Sequence, residues 1–368
     1  MTEVRSSGKA GGIAASRLLA VVLLAAALLA AAPAHATFSI VAYDSVTQEI
    51  GVAVQSRAFS VGMAVPWAEA GTGGIATQAA TNESFGPLGL AMLRNGRPAP
   101  EVLRALLDAD SGMTHRQIGI VDVQGRSAAH TGKDCSAWAG HRTGKGYSIQ
   151  GNILAGEAVV AEMERAYLST PGELAARLLA AIEAGQAAGG DRRGMQSAAL
   201  LVVRPSEEYP EYKTRYIDLR VEDSKDPIRE LRRVFGILEA TKLAEAHLRF
   251  AEAYDKAGRK DLAAVERDRV GQALHRALDR GDNEASNLNG LAWACATNDI
   301  YLDEALKAAE RAVALEPKES GILDTLAEVH FRMGHAQQAI DVETKAIAIA
   351  PNDNYLKEQL ARFQAGKR

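Results

Sequence analysis

The sequence predicts an α+β protein: a four-layer αββα sandwich over residues 37–222, then an all-α helical-repeat domain over residues 240–368. Three observations carry this. Short alternating apolar runs, the mark of half-buried strands, recur as far as Val221 and then stop. Helical stretches fall in two pairs between groups of strands, the order expected of two stacked sheets with helices on both outer faces. Beyond Glu222 the chain becomes helical, alanine-rich and periodic. A length of 368 residues fits two domains better than one core.

Residues 1–36 read as a signal peptide. Arg5, Lys9 and Arg17 form a basic start, Leu18 to Ala32 an apolar run of 15 residues, and Ala34-His35-Ala36 a small-residue cleavage site. The run is short for a membrane span, which needs roughly 20 residues. Export to the periplasm or secretion is expected; an uncleaved leader acting as a membrane anchor is the alternative. Cleavage after Ala36 leaves Thr37 first in the mature chain.

Thr37–Tyr43 and Glu49–Gln55 flank the turn-forming Asp44-Ser45-Val46-Thr47-Gln48 and read as a hairpin. Gly73–Ala79, Gln117–Val123, Ser127–Thr131, Ser197–Val203 and Tyr216–Val221 are further strands. Gly86–Arg94, Ala99–Ala109, Glu157–Tyr167 and Pro171–Gln186 read as helices, with Pro171 suited to a first turn. The charged breaker Asp223-Ser224-Lys225-Asp226-Pro227 opens a linker and first helix over residues 223–239. The change of pattern there implies two separately folding units.

The helical region repeats. Ser286–Glu319 and Ser320–Asp353 are each 34 residues long, the tetratricopeptide period. Ala305, Ala312 and Pro317 in the first unit correspond to Ala339, Ala346 and Pro351 in the second. Small residues let two helices approach closely, and proline ends the second. Leu243–Arg280, with Tyr254 and Gly258, reads as a divergent or capping pair, which brings the stack to the three units stability requires. A plain helical bundle is the alternative.

Composition excludes several classes. Hydrophobic residues make up 47% and charged residues 24%, ordinary for a globular chain. The formal net charge is -4; the leader carries three basic residues against Glu3, so its removal leaves -6. That is no footprint of nucleic-acid binding. Cys135 and Cys295 fall in different regions, which excludes a disulfide scaffold. His115, His130 and His141 with Cys135 match no zinc spacing and read as hydrogen-bonding residues. No metal or other cofactor is expected.

A threonine at a free N-terminus joins a nucleophilic hydroxyl to an amine that can act as its base. That amine titrates near pKa ~8, well below lysine, so part of it is unprotonated at neutral pH. In an antiparallel hairpin the end of the second strand lies beside the start of the first. Gln55, Ser56 and Arg57 are therefore expected around Thr37. Gly73 and Gly74 enter a strand where backbone N–H groups can form an oxyanion hole, or simply make a turn. Asn152 after Gln150-Gly151 is a candidate side-chain donor. Asp191-Arg192-Arg193 either binds an acidic substrate through arginine or forms a salt-bridged loop. Trp67 and Trp138 line a pocket or belong to the core.

The stretch from Thr37-Phe38-Ser39-Ile40-Val41-Ala42 through Gly51-Val52-Ala53-Val54-Gln55-Ser56 resembles the N-terminal nucleophile hydrolases. More specifically, residues 37–204 resemble the bacterial domain-of-unknown-function 1028 family. Val65-Pro66-Trp67-Ala68, Ala76-Thr77-Gln78-Ala79, Trp138-Ala139-Gly140-His141, Gln150-Gly151-Asn152-Ile153-Leu154 and Gly189-Gly190-Asp191-Arg192-Arg193-Gly194-Met195-Gln196 carry the likeness. The resemblance implies an αββα fold and a threonine nucleophile. One departure stands out. Proteasome-like sites place an aspartate where Gln55 stands and a lysine on the next element, and Val61–Ala70 contains Glu69 but no lysine. Arg57 or Arg192 is then the substitute cation.

The reading is an exported hydrolase acting on a peptide or acyl-amide substrate, with catalytic Thr37, Gln55, Gly73, Gly74 and Asn152. Ser56, Arg57, Asp191 and Arg192 bind substrate. The helical repeats bind a protein partner, and a homo-oligomer is left open. The competing reading is a non-catalytic binding module whose repeats do the work.

Overall fold

The computed structural model describes residues 37–205, 214–279 and 284–367. The signal peptide expected at residues 1–36 lies outside the described residues. The strands are β1 (Thr37–Tyr43), β2 (Ile50–Ser56), β3 (Pro66–Glu69), β4 (Gly73–Ala79), β5 (Arg116–Asp122), β6 (Ser127–Thr131), β7 (Gly140–Gly144), β8 (Tyr147–Asn152), β9 (Ser197–Val203) and β10 (Arg215–Val221). They form two sheets, in the orders β10-β9-β2-β1-β8-β7 and β3-β4-β5-β6. The neighbours pair antiparallel.

Three of these strands, β3, β7 and β8, are not predicted by the sequence pattern. β7 reads Gly-His-Arg-Thr-Gly, with no apolar face, and in β8 only Tyr147 and Ile149 alternate with Ser148, Gln150 and Asn152, too short an apolar pattern to stand out. All six residues of β8 are nevertheless buried, because its polar side chains find partners between the sheets.

Four helices flank the sheets: α1 (Phe85–Arg94), α2 (Ala99–Asp108), α3 (Ala158–Ser169) and α4 (Leu174–Ala187). Strand alternation decides the layers. Phe38, Ile40, Ala53, Ile149, Leu200 and Val202 turn toward α3 and α4, packing on Val160, Met163, Leu178 and Ile182. Val41, Val52, Val54 and Ala199 turn the other way and meet Ala76 and Val121 of the smaller sheet. Ile75, Ile118 and Ile120 on that sheet's far side pack on Phe85, Leu90, Val102 and Leu106 of α1 and α2. Packing thus runs helix pair, sheet, sheet, helix pair.

Residues 223–239, expected as a linker and first helix, hold α5 (Pro227–Leu238), which Asp226 caps by accepting from the Arg229 N–H. Its Ile228, Leu231 and Phe235 belong to the same core as β1, β9 and α4. The chain changes secondary structure at residue 222, but the core continues through α5. A π-helical turn at Glu239–Leu243 then leads to α6 (Ala244–Lys256) and α7 (Lys260–Asp279). The repeats follow as α8 (Ala285–Ala296), α9 (Leu302–Leu315), α10 (Ser320–Arg332) and α11 (Ala336–Ile349), closed by α12 (Asn354–Gln364). The second helices of the two repeats start 34 residues apart, and Ala305, Ala312, Ala339 and Ala346 are fully buried. The absent side chains let the paired helices close, as the period predicts.

A candidate site between the two sheets

The space between the sheets has two halves. Toward the end of β1 it is apolar, filled by Val41, Val52, Val54, Ala76 and Val121. Toward the start of β1 it is polar. Thr37 and Ser39 on β1, Ser56 on β2, Gln78 on β4, Gln117 on β5 and Ser148, Gln150 and Asn152 on β8 are each no more than 2% exposed. Buried polar groups must be paired, since each stranded donor or acceptor costs about 1–3 kcal/mol.

The pairing is continuous. Thr37 lies opposite Ser56 on one side and Asn152 on the other. Its Oγ1 is 2.9 Å from Ser56 Oγ. The Gln78 and Asn152 amides donate to the Thr37 carbonyl at 3.2 and 3.5 Å. Both also donate to Gln117 Oε1, at 2.8 and 2.9 Å. Gln117 in turn donates to the Gly151 carbonyl at 2.8 Å and to Thr131 Oγ1 at 2.9 Å. Ser39 donates to Gln78 at 2.6 Å and accepts from Gln150 at 2.6 Å. A Cβ on Gly119 would stand 2.2 Å from Gln150 Oε1, so only glycine leaves room for that amide. The described side chains that hydrogen-bond to Thr37, namely Ser56, Gln78 and Asn152, are all uncharged.

Of the residues predicted from sequence, Thr37, Ser56 and Asn152 come together. Gln55 does not. Strand alternation turns it to the helix side of β2, beside Ala53, where its amide nitrogen and oxygen are buried without a hydrogen-bond partner among the described residues. Gly73 and Gly74 are also displaced. A Cβ on Gly74 would stand 2.8 Å from Val41 and Ile50, at the apolar end. Four residues separate Gly74 from Gln78, roughly 13 Å of strand. The backbone oxyanion hole expected there is too far from Thr37; the nearby donors are the side-chain amides of Gln78 and Asn152.

Asp191 is a buried anchor. Its side chain is 0% exposed. It accepts from the Arg57 N–H at 3.0 Å, the Arg193 N–H at 2.8 Å and Arg193 Nη2 at 2.9 Å. This carboxylate ties the chain after β2 to the loop after α4. Arg57 donates to the Arg193 carbonyl at 2.7 Å, and Arg192 is exposed. Glu69 is paired with Arg94, beside Gly73.

Gln78, Gln117, Gln150, Ser39 and Ser148 were not predicted as site residues. Their signal was available: in a strand covered on both faces, an interior glutamine must have a buried partner. Thr131 Oγ1 also lies 2.8 Å from His141 Nδ1, which links the layer to an exposed imidazole. Desolvation, and then His130, lowers the His141 pKa. His130 faces the Met113 carbonyl at 2.9 Å, His115 lies 3.8 Å from Asp134, and Cys135 donates to the Arg116 carbonyl, so the four do not converge. Trp67 donates to the Ala64 carbonyl and packs on the α1–α2 core, while Trp138 packs on the α3–α4 core.

A family model described as a family of unknown function, DUF1028, matches residues 37–231. The crystal structure of the Silicibacter pomeroyi protein SPO2555, itself assigned to DUF1028, is 30% identical and covers 55% of this chain and 89% of that one, with a TM-score of 0.51. The first TPR domain of human RPAP3 is 16% identical, covering 35% of this chain and 92% of that one at a TM-score of 0.25. A mutant O-GlcNAc transferase from Thermobaculum terrenum is 21% identical, covering 34% of this chain and 22% of that one at a TM-score of 0.24. No curated protein matches. With the family model spanning more than half its length, the chain belongs to the DUF1028 family, whose function is unknown.

Proposed function

We propose that the mature protein is an exported amide-bond hydrolase whose nucleophile is the N-terminal threonine Thr37. One observation carries the reading. Thr37 opens a central strand with its hydroxyl between the sheets, 2.9 Å from Ser56 Oγ, while paired amides hold its carbonyl. Removal of residues 1–36 frees the amine on the same residue. The amine then takes the hydroxyl proton as Oγ attacks the substrate carbonyl and passes it to the leaving nitrogen as the C–N bond breaks; water then cleaves the acyl-enzyme, releasing the acid and restoring the hydroxyl. Asn152 and Gln78 are the nearest amides for the oxyanion. Arg57, next to Ser56 in the chain, and Arg192, both exposed, suit an acidic group on a peptide or acyl-amide substrate. The helical repeats are assigned to holding a protein partner.

A second reading, a binding module without catalysis, is favoured by the uncharged surroundings of Thr37 and by the missing lysine. Intact mass and N-terminal sequencing of the exported protein decide the first step: the chain should begin at Thr37. A β-lactone probe should then add covalently to Thr37 and not to the Thr37→Ala variant. A start two or more residues away, or no adduct on a chain that does begin at Thr37, favours the binding module.

A further inference from the structure

Where the sheets meet the helices, the structure buries charge. Glu49 ahead of β2, Glu173 ahead of α4, Arg204 after β9, His247 on α6, and Glu266 and Arg269 on α7 are each no more than 5% exposed. Arg204 donates to Glu266 at 2.6 Å and Arg269 to Glu49 at 2.7 Å. Arg276 on α7 lies 2.6 Å from Glu239 and 3.7 Å from Glu173. Buried ions on this scale persist only when paired, because each lone ion costs several kcal/mol to desolvate.

His247 stands at the centre. Its Nδ1 is 2.7 Å from Glu266 Oε2. Its Nε2 is 3.4 Å from Glu173 Oε2, an oxygen with no other hydrogen-bond partner among the described residues, and 3.2 Å from the Tyr216 hydroxyl on β10. With a proton on both ring nitrogens, the imidazolium serves both carboxylates. It also supplies the third cation, with Arg204 and Arg269, against Glu49, Glu173 and Glu266. If the Nε2 proton leaves, Tyr216 can donate to the bare nitrogen, and Glu173 Oε2 is left buried with no donor.

We propose that this interface is a proton-gated latch, closed while His247 bridges Glu173 and Glu266 as an imidazolium and loosened when that proton leaves. The latch joins the sheets to the helices, so one proton controls how firmly the repeats are held. It is independent of any chemistry at Thr37. The pKa directions agree with the geometry. Burial acts to lower the His247 pKa, but the bonds to Glu173 and Glu266 outweigh it and raise the value. Burial acts to raise Glu173 and Glu266, and the bond from His247 leads the opposing effects that bring both down to about 2. Arg269 and Arg276 further lower Glu173, while Glu173 and Glu49 add to the burial that raises Tyr216.

The sign follows. The unfolded chain has an ordinary histidine near ~6.5, so between that pH and the raised native value folding takes up one proton. The closing constant of the latch then falls about tenfold per pH unit in that window.

The test uses the full mature chain. Imidazole ¹³C and ¹⁵N resonances, with His247 assigned by its loss in His247→Gln, report its charge. The expected result is a doubly protonated ring at pH 7.5 that titrates above ordinary histidine, together with amide exchange in α6, α7 and β10 that quickens about tenfold per pH unit beyond the intrinsic rate. In Glu173→Gln the proton should leave at lower pH. A His247 ring that is neutral at pH 7, or interface exchange with no excess pH dependence, overturns the proposal. If the variants fail to fold, the shift changes of the seven histidines of the mature chain over the wild-type titration still decide it: all of them titrating near ~6.5 refutes the latch.

Discussion

Two polar clusters lie equally deep in this chain and are made of opposite chemistry. Around Thr37 the buried groups are hydroxyls and carboxamides, each donor matched to a neutral acceptor. Between the sheets and the helices they are carboxylates, guanidiniums and one imidazole. A neutral network pays only for geometry and is indifferent to pH. An ionised one needs charge balance as well, so it responds to protons and to the loss of any single member. The candidate nucleophile therefore sits in a surrounding that holds its shape as pH changes, and the switchable element lies where the two regions join.

The largest expected effect comes from ending the chain at Glu222. That removes Ile228, Leu231 and Phe235 from the main core and leaves Glu49 and Arg204 without Arg269 and Glu266. The expected product is insoluble or lacks near-UV circular dichroism. A cooperative unfolding transition in that fragment would make the ionised interface a mere docking contact. Next is Arg269→Met, which takes from Glu49 its shorter partner, leaves it only Arg204 at 3.3 Å, and should cost about 3 kcal/mol in urea unfolding. A loss under 1 kcal/mol would mean that water reaches the cluster.

Gln117→Leu should cost less, about 2 kcal/mol, by removing one hydrogen-bond partner each from the amides of Gln78 and Asn152 and from the Gly151 carbonyl. Its penalty should be the same at pH 6 and pH 9; a slope with pH would show that the layer is coupled to an ionising group such as the Thr37 amine. Thr37→Ala removes one hydroxyl pair and should cost about 1 kcal/mol by urea unfolding while abolishing probe labelling.

The smallest effect tests an intermediate case in the repeats. Burial, then the charge of Asp324, pushes the Glu343 carboxyl up to about 8, and neither of its oxygens has a hydrogen-bond partner among the described residues. Stability from this group is full below the unfolded value near ~4.3 and is lost as pH rises through about 8. Glu343→Gln should therefore raise the Tm by a few degrees at pH 9 and leave it unchanged at pH 5. Equal effects at both would mean that Glu343 is already ionised.

Local pattern was enough for much of this molecule. Alternation placed β1, β2, β4, β5, β6, β9 and β10 within a residue of their ends, because one face of each strand is apolar. The 34-residue period placed α8 to α11, because close helix packing demands alanine at fixed positions. The junction at Ala36 and Thr37 singled out the residue that heads the central strand, and hairpin geometry put Ser56 beside it. What the sequence could not show was which way an internal polar residue faces and what waits there. Gln55 and Ser56 are neighbours in the chain, yet only Ser56 turns toward Thr37. Gly73 and Gly74 belong to the right strand and lie at its wrong end. Gln78, Gln117 and Gln150 become a layer only when two sheets stack. Glu49, Glu173, His247 and Glu266 come from four separate segments, and none of them is informative alone. The sequence by itself determined most of the elements, the repeat period and the head of β1. Only the tertiary structure decided the two polar clusters, since their buried hydrogen bonds and ion pairs join partners as far as 220 residues apart.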